Sequence, residues 1–126
     1  SMYPDSCCDY FKESDRLAFE WIQERSSENT LVLISVFDDN GQIVGTDAGV
    51  WLFPLIGQPV NKLPFNSNWN SLLETENICP SGVGEIYIYM GGRGYSFDNA
   101  QLAQLKWIKL VFRSGPTLIY QISECP

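Results

Sequence analysis

The chain predicts an α+β fold: a five-stranded, mostly antiparallel sheet with the N-terminal helix packed on one face. Three observations carry this. In the stretch Glu85 to Ser123, apolar residues recur at every second position. Two hairpin signals, Asn40-Gly41 and Ser114-Gly115-Pro116, join apolar runs. A helical spacing of apolar residues runs through residues 6–25. Strand side chains alternate between two faces, whereas helix side chains return every third or fourth residue, so the period separates the two.

Residues 6–25 read as an amphipathic helix. Tyr10, Phe11, Ser14, Leu17, Ala18, Trp21 and Ile22 form its apolar stripe, and Asp5 or Ser6 supplies the N-cap. Asp9, Glu13, Asp15, Glu20 and Glu24 fall on the opposite, solvated surface with Lys12, Arg16 and Arg25. Ser26 to Asn29 ends the helix. Leu31 to Phe37 is a strand that is apolar on both faces except at Ser35, which predicts a central, covered position. Asn-Gly then turns the chain, because both residues accept positive φ. The return strand starts at Gln42 and runs toward Trp51 and Phe53, with Gly45 and Gly49 marking a bulge or a close backbone approach.

Pro54 to Pro64 holds three prolines and reads as a loop. Asn66 to Glu76 reads as a short helix with Trp69, Leu72 and Leu73 on one side. After the Cys79-Pro80-Ser81-Gly82 turn come the three main strands. Ile86, Ile88 and Met90, then Ile108, Leu110 and Phe112, then Leu118, Tyr120 and Ile122, mark one core face. Ser96 or Asp98 caps a short helix from Asn99 to Leu105 between the first two of these strands. The opposite face is mixed: Tyr87, Tyr89, Trp107, Val111 and Ile119 lie among Glu85, Lys109, Arg113, Thr117 and Gln121. Either a second layer covers those rings or they meet a partner, since aromatic anchors dominate interface energetics.

The 126 residues suit one domain, and no apolar run approaches the ~20 needed to span a bilayer as a helix. No secretory leader is visible, and Ser1 reads as a leftover residue before a start methionine, which predicts the cytoplasm. Cys7, Cys8, Cys79 and Cys125 match no zinc spacing, and in the cytoplasm they are expected as free thiols.

The net charge is −7, with ten acidic and four basic groups in residues 1–62 against five and four in residues 63–126. Nucleic acid and anionic membrane are poor partners for such a surface, because both are held by clustered Lys and Arg. A basic protein partner is favoured by steering.

Catalytic and metal motifs are weak. The chain has no histidine, which removes Ser-His and Cys-His nucleophile pairs. Gly91-Gly92-Arg93-Gly94 before a short helix has a phosphate cradle's outline but not its spacing, and reads as a turn. Asp38 to Asp47 contains part of a calcium loop with the wrong first and last ligand positions. No cofactor or metal is expected.

The reading that follows is a non-enzymatic binding domain, most concretely an immunity or antitoxin protein that neutralises a basic nuclease-type toxin. Tyr87, Tyr89 and Trp107 are the expected anchors, and Asp38, Asp39, Glu13, Glu20 and Glu24 the expected charges. The alternative is an extracellular glycan-binding module with paired cysteines and rings that stack on sugars. A carboxylate-dependent hydrolase would need two acids roughly 5–10 Å apart across a pocket.

Overall fold

The longest strand organises the molecule. The computed structural model describes residues 11–72, 78–92 and 95–125. β1 (Thr30–Asp39) is ten residues long and pairs with three other strands. On one side it takes β3 (Val60–Pro64) in parallel: Val32 N–H donates to Pro59 O at 3.3 Å, and Phe65 N–H donates to Val36 O at 2.8 Å. Alternate strand residues direct their backbone groups to opposite neighbours, so Leu31, Leu33 and Ser35 serve the other side. There β4 (Glu85–Met90) pairs in parallel with the first part of β1, and β2 (Gln42–Gly45) pairs antiparallel with the last part. Thr46 N–H, just beyond β2, still donates to Ser35 O at 3.3 Å. β6 (Thr117–Ile122) and then β5 (Ile108–Ser114) continue antiparallel beyond β4. Among the described residues this is one mixed sheet of six strands, in which β2, β3 and β5 each pair with a single neighbour.

The sheet is therefore larger and less antiparallel than expected, and β3 accounts for much of the difference. It lies between Pro59 and Pro64 in the stretch expected as loop. Proline is tolerated at a sheet edge, where its missing N–H costs no ladder bond, and Lys62 and Pro64 blunt that edge against further pairing. The return strand also ends at Gly45, short of the expected Trp51 to Phe53. Asp47 accepts a bond from Gly49 N–H at 2.8 Å and starts a 3-10 turn, Ala48–Trp51, followed by α2 (Leu52–Ile56). A capping carboxylate prevails over the apolar pattern, and the resulting crossover restores the chain direction so that β3 lies parallel to β1.

Both faces of the sheet are covered. α1 (Glu13–Arg25) lies on one, burying Asp15, Ala18, Phe19 and Ile22, with Phe11 just before it. These positions follow the i, i+4, i+7, i+8, i+11 spacing counted from Phe11. Phe11, Ala18 and Ile22 belong to the expected stripe; Phe19 and Asp15 do not, and Asp15 is the larger departure because a carboxylate is seldom a core residue. Leu17 is consequently exposed and Trp21 sits at the margin. Under α1 lie Val32, Ile34, Val36, Tyr87, Tyr89 and Ile119. Each large apolar side chain buried there contributes roughly 1.5–3 kcal/mol.

The second face carries Leu33, Ile86, Ile88, Tyr120 and Ile122, covered by Trp69, Leu72, Phe97 and Leu102. Leu102 belongs to α3 (Asn99–Gln104), whose first turn is capped by Asp98, one of the two expected caps, with Oδ1 accepting from Ala100 N–H at 3.0 Å. The expected helix over 66–76 is described only to Leu72, and residues 73–77 lie outside the described residues. So do Asp5, Ser6, Asp9, Tyr10, Arg93 and Gly94.

β5 departs from its expected alternation. A bulge between Leu110 and Phe112 pairs Phe112 with Ile119, so Phe112 joins the α1 face while Leu110 is exposed. One extra residue reverses the facing of everything after it.

Cys79 and Cys125 form a disulfide with a Cα–Cα distance of 6.3 Å, contrary to the expected free thiols. β4 and β6 are antiparallel neighbours. The chain entering β4 and the chain leaving β6 therefore meet at one end of the sheet. Cys7 and Cys8 lie outside the described residues. Among the described residues no helix is long and apolar enough to cross a membrane.

The disulfide closes a separation of 46 residues, which on chain-entropy grounds is worth up to about 4 kcal/mol. Denaturant unfolding with and without reductant should show a loss of about 2–4 kcal/mol. Thiol titration of the unreduced, denatured protein should find no more than two reactive thiols.

Candidate functional site

The β1–β2 hairpin outruns the sheet. β4 accompanies β1 only to Leu33 and β3 only to Val36. Beyond that point β1 has β2 alone, and every residue from Phe37 to Val44 is exposed. Asn40 and Gly41 both adopt positive φ, 53° and 89°, as the primed hairpin turn requires. Gly41 N–H donates to Asp38 Oδ1 at 2.8 Å and closes the tip.

Apolar side chains sit on both faces of this projection. Phe37 pairs with Val44 and Asp38 with Ile43. Phe37, Val44 and Ile43 are 39%, 44% and 51% exposed. The Phe37 ring centroid is 6.0 Å from that of Phe65, and the Phe65 ring meets Tyr95 edge-on at 4.9 Å. Between hairpin and β3 is a groove of about 490 Å³ lined by Val36, Phe37, Ile43, Pro64 and Phe65 together with Asp38, Lys62 and Asn66. Its volume lies within the range of ligand-binding clefts.

The residues expected to bind a partner separate into three groups. Asp38 and Asp39 are exposed on the hairpin, beside its apolar side chains. Glu13, Glu20 and Glu24 lie on α1, where cations already accompany them. Arg16 bridges Glu13 and Glu20, reaching the latter at 2.6 Å, and Arg25 approaches Glu24 at 3.7 Å while its guanidinium lies 4.3 Å from the Trp21 ring centroid. The hydrogen bond from Arg16 holds the Glu13 carboxyl below its ordinary range. Glu20 and Glu24 line a different groove, with Leu17, Trp21, Phe112 and Arg113.

Two of the three expected anchors are covered rather than presented to a partner. Tyr87 is 3% exposed and Tyr89 fully buried, because α1 is the second layer over the mixed face. Trp21 packs on Tyr87 at 5.3 Å and Phe19 on Tyr89 at 5.6 Å. Trp107 is partly buried against the second core, and its carbonyl accepts from Ser123 N–H at 3.0 Å. The exposed large apolar side chains among the described residues are instead Leu17, Phe37, Ile43, Val44, Phe53, Tyr95 and Leu110, of which Phe37, Ile43 and Val44 sit together on the hairpin. For the three on the hairpin a signal was available: apolar residues on both sides of a polar two-residue turn.

Two carboxylates are internal. Asp15 Oδ1 accepts from the Tyr89 hydroxyl and from Thr117 Oγ1 at 3.1 Å, and its Oδ2 accepts from Lys12 N–H at 3.1 Å. Asp47 Oδ1 accepts from Gly49 N–H, and its Oδ2 accepts from Gly91 N–H at 2.9 Å. The glycine run after β4 thus meets an anion of the protein itself. A Cβ at Gly91 would lie 2.7 Å from Asp47 Cβ, so a side chain there would part the two segments.

Burial pushes the Asp47 carboxyl up to about 6, against the two amide bonds that favour its charge. Burial, and then Asp15, raise the Tyr89 hydroxyl well above its ordinary value. Neither internal acid lines any of the grooves above. Among the described residues no three His, Cys, Asp or Glu side chains converge as metal ligands. No protein-family model, curated protein or solved structure matches this chain.

Tyr89→Phe removes one donor from a buried carboxylate and should cost about 1.5–3 kcal/mol of unfolding free energy; an unchanged denaturation midpoint would show that Asp15 does not need it. Asp47 has its folded pKa raised from 3.8 to about 6, so the native state holds its proton more tightly. That contribution is complete below pH 3.8 and is lost as pH rises through about 6, a change of about 3 kcal/mol. Denaturation of Asp47→Asn across this window should lack that part of the slope, whatever the variant's absolute stability.

Proposed function

We propose that this protein is a non-catalytic binding module that docks its β1–β2 hairpin onto a basic protein partner, in the manner of an immunity or antitoxin protein neutralising a nuclease-type toxin. One observation carries the reading. The unbroken exposed run from Phe37 to Val44 combines Phe37, Ile43 and Val44 with Asp38 and Asp39 and holds no basic residue. Apolar groups of this kind supply affinity once water is excluded, and the flanking acids supply register and on-rate. A convex two-stranded projection suits a concave partner such as an enzyme cleft.

The net charge of −7 supports a basic partner and makes nucleic acid and anionic membrane poor ones. The lack of any histidine supports binding over chemistry. The Cys79–Cys125 bond favours an oxidising compartment over the cytoplasm expected from a start methionine.

The test uses the partner that co-purifies from the native source. Its association rate should fall steeply between about 50 and 500 mM salt, as screening shortens the reach of the charges. Phe37→Ala should weaken binding by roughly 2 kcal/mol or more, and Asp39→Lys should slow association while leaving the melting curve unchanged. A complex indifferent to both substitutions would overturn the hairpin as the docking element.

A further inference from the structure

We propose that a second groove, next to the hairpin's own, binds a neutral saccharide. Phe65 and Asn66 line both grooves, but the polar groups the inference uses are not on the hairpin, and it stands without the docking reading. The groove has a volume of about 430 Å³ and runs between the segment Phe65 to Asn68 and the segment Ser96 to Gln101. Phe65 is its apolar wall. Asn66, Ser67, Asn68, Asp98 and Gln101 are its polar ones.

The polar side chains are held at one end and free at the other. Gln101 Oε1 accepts from Trp69 N–H, Asn68 Oδ1 from Asn70 N–H at 3.0 Å, and Asp98 Oδ1 from Ala100 N–H at 3.0 Å. These bonds fix the side chains and leave Gln101 Nε2, Asn68 Nδ2 and Asp98 Oδ2 without partners among the described residues. Amides that donate beside a carboxylate that accepts match hydroxyl groups, each of which does both. Because the groups are already oriented, little rotamer freedom is lost on binding. Phe65 is half-buried between the rings of Phe37 and Tyr95, and the part of it that lines the groove, with Tyr95 itself 53% exposed beside it, is the apolar surface on which the C–H groups of a sugar ring would pack.

Other ligand classes fit less well. No Lys or Arg lines the groove among the described residues, and Asp98 repels anions, so phosphate and acidic sugars are disfavoured. An apolar ligand would leave the amides and the carboxylate desolvated and unpaired. A peptide added as a strand needs an unpaired strand edge, and this groove is walled by two loops and the start of α3.

The experiment is an amide-resolved NMR titration of the whole chain with cellotetraose, maltotetraose and tri-N-acetylchitotriose. At least one is expected to shift the Asn68 and Gln101 side-chain amide signals, with Kd in the range of about 0.1–1 mM. Asn68→Ala should weaken that saccharide about tenfold without moving the melting temperature, and Asp39→Lys should leave its affinity unchanged. No saccharide shifting these signals at concentrations of about 10 mM would overturn the proposal. So would tighter binding of a uronate tetramer, a Ser-Ala tetrapeptide that shifts the signals where no saccharide does, or an Asn68→Ala variant that binds as the parent does.

Discussion

The structure depends on how β1 satisfies its backbone. One strand of ten residues is served by β3 on one flank and by β4 and then β2 on the other. Buried backbone groups must be paired, and where the pairing partners stop, the strand must meet water. β1 runs past β4 and β3 and so becomes the arm of a projecting hairpin. The core and the candidate docking site are thus two ends of one strand, separated at about Val36.

Charge is distributed by the same logic. Much of the acidity is not available to a partner. Asp15 and Asp47 are inside, committed to a hydroxyl pair and to two backbone amides. Glu13 and Glu20 share Arg16. Exposed ion pairs of this kind contribute little to stability, but they do cancel the local field. Among the described residues no cationic side chain is bonded to Asp38 or Asp39, so the hairpin tip presents negative charge beside bare apolar surface. A partner that reads charge and shape together would meet both there.

The internal acids also tie the layers together. Asp15 joins α1 to β4 and β6 through Tyr89 and Thr117. Asp47 joins the crossover after β2 to the segment leaving β4. Buried polar groups of this sort cost more than apolar packing when any partner is missing, which makes the seating of α1 and of the crossover specific. Tyr89, which carries a ring into the core and a hydroxyl to Asp15, serves both functions at once.

Local chemistry was legible in the chain. The period-2 runs located β4 and β6, a continuous apolar run located most of β1, Asn40-Gly41 located the turn, and the pair Ser96 and Asp98 contained the cap of α3, because each depends on a few neighbouring residues. The acids at Asp38 and Asp39 were legible as exposed for the same reason. Facing was not legible. Whether Tyr87 and Tyr89 meet solvent or α1, whether Asp15 points in or out, and whether VNKLP pairs with β1 are decided by segments distant along the chain. A single bulge in β5 exchanged the surroundings of Leu110 and Phe112. Sequence by itself determined the hairpin turns and the strands with strong apolar patterns; only the tertiary structure decided that Val60–Pro64 extends, which rings are buried and which charges remain free, because pairing and burial are properties of what lies against a residue.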